Sequence, residues 1–304
     1  MKQNIFISGA SGVGKTTVIQ TLLEQSLVVA GPKTYKLVQP EDRLTLRGMI
    51  NTYGFAVPSM VAKPSVRKED DPNLFMRQLV YWQFCQLSMH QQNMVAPTNT
   101  RDIRVHDRSA LDSLAYFLYD VLNFARPQAP SSFPGNEVGA QATVCDFLST
   151  AFTETARDQI ESLFASARRI KEGVGLEKST YFAAVKDNVF RSLCAGLTKD
   201  NRTDLADEVT TSVAFILVSY ARLILTVPGK HIILQQNPHT RPDEDGVRSV
   251  DEVLMSDLQS LFVTLANYVP DAMLETRDPS LRKPDVEGDL QQRVQVILRE
   301  VKGE

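Results

Sequence analysis

The sequence predicts an α/β protein, a three-layer α/β/α arrangement around a mostly parallel sheet with a large inserted helical subdomain. Three observations lead there. The apolar run Ile5-Phe6-Ile7 leads straight into Gly9-Ala10-Ser11-Gly12-Val13-Gly14-Lys15-Thr16, which fits G-x-x-x-x-G-K-[ST] at every fixed position in a strand-to-helix setting. Short apolar runs then recur along the chain with helical patterns between them, as in a parallel sheet covered on both faces. After a loop at Pro127, Pro130 and Pro134, the pattern from about Val138 to Val227 is mainly helical, which interrupts the alternation.

Residues 3–8 read as the first strand and 15–26 as its helix, with Val18, Ile19, Leu22 and Leu23 on one face. Pro32 marks a break before a second strand, Thr34–Val38, closed by Pro40. Pro58, Pro64 and Pro72, with the charge cluster Arg67 to Asp71, predict an exposed, mobile segment. Asn73 to Val95, free of proline, reads as one long helix. Ile103–His106 reads as the third strand, ending at Asp107, and Ser109 to Phe124 as the next helix. Helices are then expected between Val138 and Leu197, with breaks at Gly173 and Gly175, and from Asp204 to Val227. Lys230–Gln236 reads as a strand, residues 251–267 as a helix, Ala272–Glu275 as a last short strand and Asp289–Val301 as a terminal helix. Its apolar stripe is Leu290, Val294, Ile297, Leu298 and Val301. The expected divisions are 1–125 and 230–304 for the α/β core and 126–229 for the insert.

The chain has 304 residues, 43% of them hydrophobic and 23% charged, with net charge -3. That composition is globular and argues against a broad basic surface for nucleic acid, though not against a local basic cleft. Cys85, Cys145 and Cys194 form no C-x-x-C and the four histidines are scattered, so neither a disulfide framework nor a zinc site is expected. Val213 to Val227 is interrupted by Ser219, Tyr220 and Arg222 and reads as too short and too polar for a membrane span. No secretory pattern is seen at the N-terminus. A cytoplasmic location is expected (the host cytoplasm if the source is viral), with no membrane partner.

The glycine-rich turn predicts phosphate chemistry. Glycines let successive N–H groups face one anion, and the helix N-terminus adds its partial positive charge. Gly9 to Thr17 are expected to cradle ATP, with Lys15 reaching the β- and γ-phosphates and Thr16 giving an oxygen to Mg²⁺. Asp107, at a strand end, suits a metal contact or acceptance of a proton from an attacking hydroxyl, and Arg108 suits charge neutralisation. Asp107 and Asp112 equally suit a helix start, with Asp107 as N-cap. His106 belongs to the opposite face and reads as a core residue.

The turn, Asp107-Arg108-Ser109 and the later Leu114-Ala115-Tyr116 resemble the nucleoside and nucleotide kinase branch of P-loop NTPases. Thymidylate kinases carry a similar Asp-Arg-Tyr, deoxynucleoside kinases a Glu-Arg-Ser. The ribosylnicotinamide kinase type is similar in its Asp-Arg, Leu-Ala-Tyr and downstream Asp-Gly-x-Arg, here Asp245-Gly246-Val247-Arg248. The resemblance covers roughly residues 1–124 and 230–301, and not the helical block between. It implies an ATP- and Mg²⁺-dependent kinase acting on a nucleoside, nucleotide or similar acceptor. It implies a lid carrying Arg248 and Arg241, a solvated turn being the plainer alternative. It also implies an acceptor site drawing on Gln83, with Trp82 stacking beside it, and on Gln39, Glu41 and Arg43. Some phage kinases related to thymidylate kinases phosphorylate a hydroxymethylated pyrimidine within DNA. That makes DNA an alternative partner, through Arg168, Arg169, Lys171 and Lys178. A third alternative is a regulatory ATPase or GTPase that transfers phosphate to water. The chain lacks an Asn-Lys-x-Asp run for guanine, and its strand-end motif has one acid where a motor would carry two.

Overall fold

A computed structural model describes residues 3–10, 13–25, 65–68, 70–95, 103–124, 156–176, 180–196, 202–235, 252–275 and 286–302. In chain order they form β1 (Gln3–Gly9), α1 (Lys15–Gln25), α2 (Pro72–Val95), β2 (Ile103–Asp107), α3 (Ala110–Phe124), α4 (156–171), α5 (Thr180–Gly196) and α6 (Arg202–Thr226). There follow β3 (Lys230–Leu234), α7 (Glu252–Ala266), β4 (Ala272–Leu274) and α8 (Val286–Lys302). The protein is α/β and mostly helical, with a parallel sheet in the order β2-β1-β3-β4. The strand expected at Thr34–Val38 lies outside the described residues.

β1 is buried on both faces, Ile5 and Ile7 on one and Phe6 and Ser8 on the other, which is why its sequence runs apolar without alternation. Its register pairs Ile7 with Asp107 of β2 and Gly9 with Leu234 of β3, so β1 and β3 end level and β2 ends two residues earlier. Phe6 lies opposite His231, and their rings stack at 4.6 Å. The chain continues from β1 to a neighbour on one side and reaches β3 on the other. β1 is therefore the switch point of the sheet, where open α/β sheets hold their ligands.

Helix α1 packs on β1, β2 and α8, while α3 and α7 pack on each other and on β1. Helix α2 buries Met76, Leu79, Val80, Gln83, Leu87 and His90, a stripe at helical spacing. The charged segment before α2 was expected to be exposed and mobile, yet it makes defined contacts. Asp71 is the N-cap, its Oδ1 accepting the Leu74 N–H at 2.9 Å, with Pro72 as first helical residue. Lys68 Nζ donates to the Asn123 carbonyl at 2.7 Å and sits 5.2 Å from the centre of the Phe124 ring. A cation at the end of α3 meets the carbonyls and negative dipole there.

The helices expected as an insert do not stand apart, since α5 and α6 share one hydrophobic core with α2 and α3. The stretch read as too short and too polar for a membrane belongs to a 25-residue helix. Its window Val209–Thr226 has mean hydropathy 1.7, enough to cross a membrane by length and composition alone. Yet 56% of that window is buried inside the structure, against α2, α3 and α5. The pattern is that of a core helix clasped between others.

A polar seam runs through this core. The Tyr220 hydroxyl donates to Gln83, with distances of 2.9 Å to Oε1 and 3.1 Å to the main-chain oxygen. His90 Nε2 and Ser113 Oγ are 2.9 Å apart, and the His90 ring meets Tyr220 edge-on. Burial raises the Tyr220 phenol well above its usual range, against a smaller opposing effect of Ser113. Burial also lowers both His90 and His231 to about 4. Both histidines are thus neutral in the folded chain down to about pH 4, whereas the unfolded chain protonates them near 6.5.

Their contribution to stability is full above pH 6.5 and is lost as pH falls toward 4, at about 1.4 kcal/mol per unit and per histidine once well below 6.5. Thermal melting at pH 7 and pH 5 is expected to show this loss. His231→Phe, which keeps the stack on Phe6, is expected to remove a substantial part of the acid sensitivity. Equal pH dependence of the variant and the parent chain would contradict it.

Candidate functional site

The site is built where β1 leaves the sheet. Gly9 has φ 147°, and a Cβ there would stand 2.6 Å from the Leu234 carbonyl oxygen. Only a residue without a side chain lets β1 run this close to β3 and then turn. Gly14, at φ 85°, takes the left-handed turn that delivers the chain into α1. Ser11 and Gly12 lie outside the described residues. Lys15 opens α1, followed by Thr16, and Thr17 is exposed.

The Lys15 ammonium is folded into the turn rather than out to solvent. It donates to the carbonyls of Gly9 at 2.6 Å and Ala10 at 2.7 Å, with 6% of the residue accessible. Main-chain carbonyls thus accept a charge that burial would otherwise penalise.

The second wall comes from β2. Asp107 is its last residue, opposite Ile7. Arg108 follows at φ 76°, a left-handed backbone that costs a non-glycine residue on the order of 1 kcal/mol. Its N–H donates to the Ile7 carbonyl at 3.0 Å, locking the bend to β1. Ser109, not Asp107, caps α3. The Ser109 Oγ accepts the Leu111 N–H at 3.0 Å, and Asp112 Oδ2 accepts the Ser109 N–H at 2.9 Å. This is a reciprocal capping box. It corrects the expectation of Asp107 as N-cap and leaves Asp107 as a strand-end acid. The same Asp112 carboxylate reaches the glycine turn, its Oδ1 accepting the Gly9 N–H at 3.3 Å, while Ser8 Oγ and Ser109 Oγ are 3.1 Å apart.

A third element enters from α8. The Arg293 guanidinium donates Nη1 to the Val13 carbonyl and Nη2 to the Gln235 carbonyl, the latter at 2.7 Å, and its Nε lies 2.8 Å from Glu275 Oε1. Both charges are nearly inaccessible, at 5% and 8%. Sequence reasoning missed this pair. The readable signal was an arginine inside the apolar stripe of α8, beside Leu290, Val294 and Ile297.

Other expected residues fall elsewhere. Gln83 is 1% exposed, and its amide oxygen already accepts the Tyr220 hydroxyl. Its burial leaves a base edge no open path to the amide in this arrangement of the core. Trp82 is partly buried against the same core. Arg169 pairs with Glu172 at 3.3 Å, Lys171 Nζ donates to the Leu225 carbonyl at 3.0 Å, and Arg168 shares an open cleft with Asp158 and Glu161. Acids therefore interleave with the bases there. Gln39, Glu41, Arg43, Lys178, Arg241 and Arg248 lie outside the described residues, as does Cys145, while Cys85 and Cys194 are free thiols. Among the described residues, no group of three or more His, Cys, Asp or Glu is placed to hold a metal ion.

Family models, curated proteins and solved structures were compared with the chain and none matches.

Gly9→Ala is expected to destabilise the chain by about 2–3 kcal/mol, because it adds a clash with the Leu234 carbonyl to a strained backbone. Chemical denaturation checks this, and a change below 1 kcal/mol would be inconsistent with the tight β1–β3 approach. Asp112→Ala removes the acceptor for two N–H groups and is expected to cost about 2 kcal/mol in the same assay.

Proposed function

We propose that the chain is an ATP-dependent phosphotransferase of the P-loop kinase type, with three α/β/α layers, acting on a nucleoside- or nucleotide-like acceptor. One observation carries the reading. A buried parallel strand ends in a glycine with φ 147°, and the loop beyond it returns to a helix whose first residue, Lys15, points its ammonium into that loop. Such a turn suits oxyanions, since it offers main-chain N–H groups, a helix N-terminus and a cation.

ATP would supply the phosphoryl group, and Mg²⁺ would screen its oxygens. The residues fit both. Gly9 and Gly14 add no side chain to the turn, and Thr16 and Asp107 would give Mg²⁺ the sparse oxygen set it takes when phosphates complete its shell. In the nucleotide-free chain Lys15 is held by the Gly9 and Ala10 carbonyls, so phosphate oxygens would compete for an ammonium already inside the turn. Asp107, at the end of the neighbouring strand, would take the acceptor proton, and Arg108 would offset charge on the transferred group. The strained backbone of Arg108 supports that role, because strain of this kind collects at functional sites. Arg248 and Arg241 are proposed to close over the phosphates and keep water out. Gln39, Glu41, Arg43 and Trp82 are carried as acceptor contacts. A cytoplasmic location follows from the need for ATP.

The test is ADP release with ATP and Mg²⁺, with and without nucleosides, nucleotides and hydroxymethylpyrimidine DNA. Acceptor-stimulated turnover is expected. Lys15→Ala and Asp107→Asn are each expected to lower it by about 100-fold or more. Turnover indifferent to every acceptor would replace this reading with a nucleotide-hydrolysing regulatory protein. Stimulation by DNA alone would move the acceptor to a base within a polymer.

A further inference from the structure

Arg293 is spent on contacts that no apolar packing role requires. A helix that only covered the sheet would place leucine there, as it does at Leu290 and Leu298. Instead a buried guanidinium is brought to three separate pieces of chain. These are the glycine turn at Val13, the segment just after β3 at Gln235, and the residue just after β4, Glu275. Glu275 is itself fixed to β3, its N–H donating to the Ile233 carbonyl at 3.1 Å. The fork therefore ties the turn to the rigid edge of the sheet. Its charge is balanced by the carboxylate and adds little field of its own to the turn.

The consequence lies in the Val13–Gly14 peptide. A peptide unit is planar, and in its trans form the C=O and the N–H point in opposite directions. Drawing the Val13 carbonyl onto Arg293 turns the Gly14 N–H away from α8. The atom nearest a Cβ added at Gly14 belongs to Arg293 itself, at 3.4 Å, so the guanidinium lines one side of this peptide. We propose that Arg293, with Glu275 as its counter-charge, is the positioning residue of the turn. It holds the Gly14 N–H in the orientation that receives the nucleotide's phosphate. The inference rests on the nucleotide reading above and adds to it a residue from the far end of the chain. Only arginine can do this, because a lysine ammonium cannot reach two carbonyls and a carboxylate along a planar fork.

The experiment is calorimetric titration of Mg·ADP into the full chain, with the unliganded melting temperature measured in parallel. The variants are Arg293→Lys and, as a purely destabilised control, Val189→Ala, a buried position in α5 away from the turn. Arg293→Lys is expected to lose roughly tenfold or more in affinity, since small displacements of a donor cost this much. Val189→Ala is expected to melt lower yet bind within about twofold of the parent chain. If Arg293→Lys melts below the titration temperature, Arg293→Gln carries the same comparison, keeping an N–H donor without the buried charge. Binding by the arginine variant within about twofold of the parent chain overturns the proposal. So does a loss of affinity in Val189→Ala equal to that of Arg293→Lys. If the parent chain itself fails to bind Mg·ADP, the nucleotide reading falls, and this proposal with it.

Discussion

The approach of β1 to β3 at the carboxyl end of the sheet is the constraint on which the rest of the structure depends. Gly9 lies against the Leu234 carbonyl with no room for a side chain. That contact sets where the central strand stops and where the turn begins. Beside it lie the level ends of β1 and β3, the bend at Arg108 that hydrogen-bonds back to Ile7, and the reach of Asp112 to the Gly9 N–H.

The charges around the turn share a pattern. Lys15 rests on two carbonyls of the turn, Arg293 on one carbonyl of the turn and one beyond β3, and Asp112 on N–H groups from the turn and from the start of α3. Main-chain dipoles thus satisfy most of the buried charge locally, where an unpaired charge would cost several kcal/mol. Lys15 donates to carbonyls of the turn itself, whereas Arg293 links the turn to the end of β3 and to the Glu275 carboxylate.

Much of the fold was legible in the sequence because its signals were local. The apolar run before Gly9, the helical stripe of α3 and the β-branched run of β3 each state their own structure within a few residues. The turn was legible for the same reason, since its glycines answer to backbone geometry. What the sequence hid were partners distant in it. The segment Arg67 to Asp71 reads as exposed charge, and Arg67 and Asp70 are exposed, but Lys68 also meets the end of α3. The stretch Val213 to Val227 reads as helix and not as a membrane span, and α6 is a core helix, but the inward bond of its Tyr220 to Gln83 of α2 is not announced nearby. Gln83 itself reads as a solvent-facing or ligand-facing amide, and nothing nearby in sequence announces its buried partner. Arg293 was the largest omission, because an isolated arginine in an apolar stripe carries its meaning only through Val13 and Glu275.

The bond from Arg293 to Val13 joins residues 280 positions apart. During synthesis the glycine turn emerges at the start and its tether close to the end, separated by tens of seconds at ordinary elongation rates. Through most of that interval, until β3 at residues 230–234 is made, β1 also lacks a strand partner on one side and exposes an unpaired apolar edge. The site is thus among the last features of the molecule to mature. A chain cut short between the glycine turn and α8 retains the turn but lacks the Arg293 tether to it.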